Sequence, residues 1–301
     1  MAARREIGTD PTIKGTLPVA FPYQGSKRRL APSILQFFPY GARRLIEPFA
    51  GSAAVTVAAV ASGIVESALI ADSNKPLAEL WRLIIDDPGR VSSSYEDLWR
   101  RQLGNERDFY DEVRETFNKT KDPLLLLFLL ARCVKAAVRY NAAGEFNQSP
   151  DNRRLGTRPD RMRTQIHRTS RLLAGRAETM SEDYRTVLEQ ATGDDVIYLD
   201  PPYQGVSSNR NRRYSDTLML DEFVDSLMAL NNRNLSFIVS YDGRTGNKTH
   251  GQLLPSSLSL ARFEIDAGRS AQATFLGRSE RTVESIYVSA ALMERNGLTN
   301  G

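Results

Sequence analysis

The sequence predicts a doubly wound α/β fold interrupted by a mostly helical insertion, and three observations carry that expectation. Short apolar runs rich in branched residues recur at Arg44–Pro48, Ala68–Asp72, Val196–Asp200, Ser236–Ser240 and Ser257–Ile265, the pattern of strands buried on both faces. The first two flank Ala53–Ser62, alanine-rich and long enough for a helix, so strand, glycine turn, helix and strand follow in the order of a βαβ unit with parallel strands. Between residues 77 and 176 the spacing turns helical, with no clear strand.

Within that stretch Leu77–Ile85, Ser94–Gln102, Phe109–Phe117, Leu124–Tyr140 and Arg161–Gly175 read as helices. Asp122-Pro123 and the polar segment Asn147–Arg158 supply breaks. The α/β pattern resumes at Val187 and closes with an edge or hairpin strand at Thr282–Met293. The expected organisation is a split α/β domain, residues 17–76 and 177–293, with an insert at 77–176 and flexible termini at 1–16 and 294–301.

With 301 residues the chain can bury a sizeable core. At 41% hydrophobic and 25% charged residues it is neither disordered nor collagen-like nor disulfide-rich in composition. One cysteine, Cys133, and two histidines exclude an internal disulfide and a metal site at zinc-ligand spacing. The longest apolar run, Leu124–Ala131, falls far short of the roughly 20 residues that span a bilayer. Residues 1–16 hold Arg4, Arg5 and Lys14 without the apolar stretch of a signal peptide, so a cytoplasmic, metal-free protein is expected. Trp81, Trp99, Cys133 and His167 read as packing or surface residues.

The net charge of +4 is unevenly placed. Residues 151–176 contain eight arginines against two aspartates, a net of +6, which favours a polyanionic partner at that segment over a merely solvated helix.

The strongest chemical signal is Val196-Ile197-Tyr198-Leu199-Asp200-Pro201-Pro202-Tyr203, a buried strand ending in an acid, two prolines and an aromatic ring. Each proline holds the preceding residue extended and brings no N–H donor, so the tip offers only acceptors: the Asp200 carboxylate and nearby carbonyls. Acceptors beside an aromatic plate suit a planar amino donor. The exocyclic amine of a nucleobase is a poor nucleophile, and attack on a methyl sulfonium builds positive charge on its nitrogen, which such acceptors stabilise. A rigid turn without chemistry is the plainer alternative.

The second signal is Leu45-Ile46-Glu47-Pro48-Phe49-Ala50-Gly51-Ser52-Ala53-Ala54-Val55, a strand running through small residues into a helix, where Gly51 lets a ligand approach the backbone. Asp72 ends the next strand, a place where an acid commonly accepts from ribose hydroxyls. No GKS/T phosphate loop is present, which disfavours a nucleoside triphosphate and favours an adenosyl ligand.

Together these segments resemble the Dam-type, class alpha (D12), N6-adenine DNA methyltransferases. Four separated matches carry the resemblance: Tyr23-Gln24-Gly25-Ser26-Lys27, Glu47-Pro48-Phe49-Ala50-Gly51, Arg139-Tyr140-Asn141 with Gly144-Glu145-Phe146-Asn147, and Asp200-Pro201-Pro202-Tyr203. The resemblance covers roughly residues 20–290 and implies a doubly wound, Rossmann-like methyltransferase core with a mostly helical inserted target-recognition domain. It also implies S-adenosyl-L-methionine as cofactor and double-stranded DNA as substrate. The target adenine would leave the stack to expose its paired amine. A cognate restriction endonuclease is a partner that the resemblance admits.

By the same resemblance Tyr23, Gln24, Gly25, Lys27, Glu47, Pro48, Phe49, Gly51 and Ser52 form the cofactor site. Asp72 binds its ribose, Asp183 and Tyr184 hold its adenine, and Asp200, Pro201, Pro202 and Tyr203 are catalytic. Asp183 reads equally as the cap of a helix through residues 184–191. Arg139, Asn141, Arg153, Arg154 and Arg158 in the insert become candidate DNA contacts, as do Arg210, Arg212 and Arg213 in the polar loop after the tetrad. The sequence departs from the family where its last cofactor-loop glycine is Ala53, and where Lys135, Ala136 and Ala137 replace a frequent Phe-Asn-Gly. Rival readings are an N4-cytosine DNA methyltransferase, a catalytically silent DNA-binding protein of the same fold, and an RNA or protein methyltransferase.

Overall fold

Parallel pairing follows from strands that are apolar on both faces. In the computed structural model, which describes residues 16–39, 41–202, 219–245, 248–250, 252–269 and 281–298, strands β1 (Ala42–Glu47), β2 (Val65–Ala71), β3 (Ala177–Met180), β4 (Asp195–Leu199) and β5 (Phe237–Thr245) run parallel. β6 (Lys248–His250) pairs with the end of β5, while β7 (Ala261–Arg269) and β8 (Arg281–Val288) complete the sheet in the order β3-β2-β1-β4-β5-β8-β7. β8 is antiparallel to both its neighbours. The order reverses between β1 and β4, and the crevice beyond their carboxyl ends is where open α/β sheets bind ligands.

Alternation along each strand separates two apolar layers. Leu45, Ala68, Ile70, Val196, Tyr198, Ile238 and Ile286 face α1 (Ala31–Leu35), α2 (Ala54–Ser62) and the helices that follow. Ile46, Leu69, Ile197, Leu199, Val239 and Tyr287 face α8 (Tyr184–Glu189) and α9 (Leu220–Asn232). Helices therefore cover both faces, and the fold is doubly wound. At the amino ends Arg44 on β1 grips Asp195 on β4 through Nε at 3.0 Å and Nη2 at 2.9 Å, fixing the central pair.

The helical stretch comprises α3 (Lys75–Asp86), α4 (Pro88–Arg101), α5 (Glu106–Thr120), α6 (Pro123–Arg132) and α7 (Pro159–Leu173). Leu126, Leu127, Phe128, Leu129 and Leu130 are all fully buried, because α6 is surrounded by α3, α4 and α5. α3 packs on β3 and α7 on α2, so the stretch shares one apolar layer with the sheet.

Several expected boundaries are corrected. The chain re-enters the sheet at β3, before Val187: Ala177–Met180 is a short, half-buried edge strand without an apolar run. The helix expected over Leu124–Tyr140 stops at Arg132, where Cys133 turns extended and Lys135 and Ala136 adopt left-handed backbone, φ 61° and 50°. The strand expected from Ser257 starts at Ala261, because Ser256–Leu258 makes a 3-10 turn ended by Ser259 at φ 51°. The last expected strand ends at Val288: the Ser289 hydroxyl accepts from the Leu292 amide and starts the helix Ala290–Arg295. Among the described residues no helix is long and apolar enough to cross a membrane.

Candidate active site

Three chain segments meet at the switch point. Tyr23–Lys27 from the N-terminal loop, Glu47 to Ala54 from the β1–α2 turn, and Asp200-Pro201-Pro202 beyond β4 line one cleft, with Val138 completing a wall. Of the sequence-predicted residues, Tyr23, Gln24, Gly25, Lys27, Glu47, Phe49, Gly51, Ser52, Asp200, Pro201 and Pro202 are thus brought together. Pro48 is buried in the turn. Tyr203, Arg210, Arg212 and Arg213 lie outside the described residues.

The β1–α2 turn is held in place from below. Gly51 has φ 48°, and a Cβ there would stand 2.9 Å from the Tyr23 ring, so only glycine permits this approach. Its amide donates to Asp72 Oδ2 at 3.0 Å, and its carbonyl accepts from the Trp81 indole at 2.9 Å. Asp72 Oδ1 also accepts the Asn74 amide at 2.9 Å, and the Tyr140 hydroxyl donates to Asn74 at 3.2 Å. Asp72 therefore sits beneath the turn, 3% exposed, with both oxygens engaged by backbone. Ala53, in place of the family's glycine, is left-handed at φ 44°. Relief of about 1–2 kcal/mol from glycine there would be offset by the lost buried methyl, about 0.8 kcal/mol, and by the added freedom of the unfolded chain, so alanine is tolerated.

Alternation also explains which acids meet. Leu45 and Glu47 on β1, and Val196, Tyr198 and then Asp200 on and beyond β4, share the α2 face. Glu47 Oε2 accepts from the Thr56 amide at 3.0 Å and hydroxyl at 2.5 Å. Burial nonetheless pushes the Glu47 carboxyl up to about 8, and the nearby Asp200 and Asp72 add to the rise. Asp72 is pushed up to about 6 by burial, against the pull of its two amide donors. Tyr198 donates to or accepts from Ser240 at 2.8 Å, and its phenol is raised well above the ordinary value by burial and by Asp200.

Asp200 lies at the cleft edge of this layer. Its Oδ1 is 3.2 Å from Lys27 Nζ, which also meets Glu284 Oε2 at 2.6 Å. Burial pushes Asp200 up to about 6; Lys27 opposes the shift and Glu284 adds to it. Glu284 was not evident from sequence, being 257 residues from Lys27. Trp81 is packed, as its residue type leads one to expect, but its N–H also pins the turn.

Asp183 and Tyr184 stand to one side. Asp183 caps α8 by accepting the Arg185 amide at 3.0 Å and pairs with the Arg185 side chain at 2.7 Å, while the Tyr184 ring packs 5.0 Å from Phe49.

Of the candidate DNA contacts between residues 139 and 158, Arg154 and Arg158 line a second groove of about 600 Å³ that shares Tyr23 with the first cleft and also carries Lys135 and Arg161, whereas Arg139, Asn141 and Arg153 do not line it. Arg161 was not singled out from sequence. Arg153 and Arg154 both hold Asp151, whose carboxyl stays far below the usual range because Arg154 and Arg153 donate to it. Asn141 shapes its own turn, accepting from the Ala143 and Glu145 amides at 2.9 Å each. Arg139 is half-buried beside Val138, its carbonyl accepting the Asn147 amide at 3.1 Å.

The family model described as D12 class N6 adenine-specific DNA methyltransferase matches residues 23–271. The chain is similar to the DNA N-6-adenine-methyltransferase of Escherichia phage P1, 33% identical over 216 residues that cover 67% of this chain and 27% of the phage protein. It is similar to the DNA adenine methylase of Serratia marcescens, 28% identical over 193 residues covering 63% of this chain and 68% of that protein. For the DNA adenine methylase of Haemophilus influenzae the figures are 28% over 194 residues, 63% and 65%. The chain thus spans about a quarter of the phage relative and about two thirds of the other two. With the Asp200 tip and the Gly51 turn facing one another across the switch point, and a family match over most of its length, the chain belongs to the D12 class N6 adenine-specific DNA methyltransferases.

Proposed function

We propose that the chain transfers a methyl group from S-adenosylmethionine to N6 of a flipped-out adenine in double-stranded DNA. The observation that carries this reading is the meeting of Asp200-Pro201-Pro202 with the Gly51 turn in one cleft of a chain of this family. The residues fit an adenosyl ligand: Gly51 and Ser52 line the cleft as small residues, the absence of a side chain on Gly51 lets the Tyr23 ring close against the turn, and no phosphate loop competes. When bound, S-adenosylmethionine supplies an electrophilic methyl group on a sulfonium centre.

The chain's own groups supply the acceptors. At neutral pH Asp200, raised only to about 6, is mostly ionised and can take one N–H of the target amine. The Pro201 carbonyl takes the other, so positive charge developing on the nitrogen meets preorganised acceptors. An aromatic residue at the end of the tetrad, Tyr203, is chemically suited to stack on an extruded base. In this reading residues 17–76 and 177–293 bind cofactor and catalyse, while residues 77–176 recognise DNA in the cytoplasm, with the cationic groove tracking the backbone.

Incubation with labelled cofactor and unmethylated DNA, followed by nucleoside mass spectrometry, tests the reading. N6-methyladenine is expected; N4-methylcytosine as main product, or no transfer to any DNA, overturns it.

A further inference from the structure

We propose that Glu284 is a positioning residue that keeps the Lys27 ammonium from occupying the Asp200 carboxylate, so that Asp200 stays available to the target amine. The inference rests on the methyltransferase reading for its catalytic consequence but not for its geometry.

The backbone places Glu284 there by an irregular register. β5 and β8 pair Ser240 with Ile286, then Gly243 with Glu284, so β5 carries one extra residue, with Asp242 left-handed at φ 56°. Gly243 is required at this crossing, since a Cβ would meet the Val283 carbonyl at 2.7 Å. β8 keeps its alternation, so Glu284 lies on the same face as Ile286 and Val288, the face that carries Asp200, Glu47 and Lys27.

Lys27 is nearly buried and bridges two acids, closer to Glu284 at 2.6 Å than to Asp200 at 3.2 Å. The three groups together carry one net negative charge. Without Glu284 the same ammonium would bear more fully on Asp200, and the carboxylate would present a more quenched acceptor to an amine that is gaining positive charge. Among the described residues Asp200 is also faced by Glu47 from β1 and Tyr198 from β4, the latter held by Ser240. Glu284 is the acid that shares the Lys27 ammonium with Asp200 at salt-bridge distance.

Glu284→Gln tests this with two readouts. Carbon-13 NMR titration of the aspartate carboxyls, with Asp200 assigned by its loss in Asp200→Asn, should show the Asp200 midpoint shifted to lower pH in the variant. In steady-state assays kcat should fall about tenfold or more. The acid limb of its pH profile should move down, with the Kd for S-adenosylmethionine within twofold and the thermal midpoint little changed. Glu284→Asp, one methylene shorter, should recover part of both effects and serves as the readout if the Gln variant does not fold. An Asp200 midpoint equal to wild type overturns the proposal, as does loss of activity that only parallels loss of fold or of cofactor binding. A shifted midpoint in a protein that methylates no DNA leaves the proposal standing and removes the methyltransferase reading instead.

Discussion

The Gly51 amide donates to Asp72 Oδ2 at 3.0 Å, so the acid at the end of β2 fixes the turn at the end of β1. Asp72→Ala leaves the Gly51 and Asn74 amides without their acceptor at a buried position, a cost of about 1–3 kcal/mol for each orphaned group. The expected outcome is weaker S-adenosylmethionine binding together with a lower thermal midpoint. Calorimetry and a melt on the same sample check it: weaker binding at unchanged stability would assign Asp72 to ligand contact alone.

Glu47 makes the fold sensitive to pH in an unusual direction. Its buried carboxyl is raised from 4.5 to about 8, so between those values the native state binds more protons than the unfolded chain. The stability linked to it is fully present below pH 4.5 and is lost as pH rises towards 8. Between pH 6 and 8 the loss should be roughly 2–3 kcal/mol. Denaturant melts of the ligand-free protein should show the midpoint falling across that window, and Glu47→Gln should flatten the dependence. A wild-type curve that is level from pH 6 to 8 would contradict this.

Legibility in the sequence followed burial. β1, β2, β4 and β5 each contain a short, buried apolar run that could be read directly, whereas β3, Ala177–Met180, is half-buried at an edge and looks like loop. Ends set by a single side chain or a left-handed residue were invisible: Ser289 capping a helix, Ser259 delaying β7, Lys135 and Ala136 stopping α6. The cleft was largely legible because its members lie in short contiguous motifs beside strand ends. Glu284 and Trp81 were not, because their roles depend on β8 and α3 reaching segments distant in sequence.

Asp200→Ala should lower kcat by about 10²–10³-fold or more, as removal of one preorganised electrostatic partner does, while cofactor affinity stays within a few-fold. Single-turnover transfer of labelled methyl, alongside calorimetry, measures both. Near-normal turnover would remove Asp200 from the chemistry.

Arg132 is buried at 2% exposure, donating to Gln102 Oε1 at 2.6 Å, to the Asp151 carbonyl at 2.9 Å and to the Arg154 carbonyl. It thereby fastens the arginine-bearing segment to the helical core. Arg132→Met strands these acceptors and should destabilise by about 3 kcal/mol or more, weakening DNA binding with little effect on the cofactor. Lysine there should recover only part, because it lacks the planar fork. Denaturant melts and DNA titrations check the pair of effects, and an unchanged midpoint for the Met variant would argue against the anchor.

The groove itself gives the final prediction. Arg154, Arg158 and Arg161 line the groove that shares Tyr23 with the acceptor cleft, so a strand leading into the site along that groove would pass them. Arg154 is already paired with Asp151, and its loss removes a cation while leaving that acid to Arg153. Each phosphate contact contributes about 0.9 to the slope of log affinity against log salt, so replacing all three by Gln should flatten the slope by up to about 2.7. Affinity should fall similarly for every DNA sequence, since phosphate contacts position the duplex without reading it. Titrations of the triple variant and wild type over a range of salt measure the slope, and calorimetry should find cofactor affinity unchanged. If the two slopes coincide, these arginines do not touch the backbone, and the positive charge of the segment is an ordinary solvated surface.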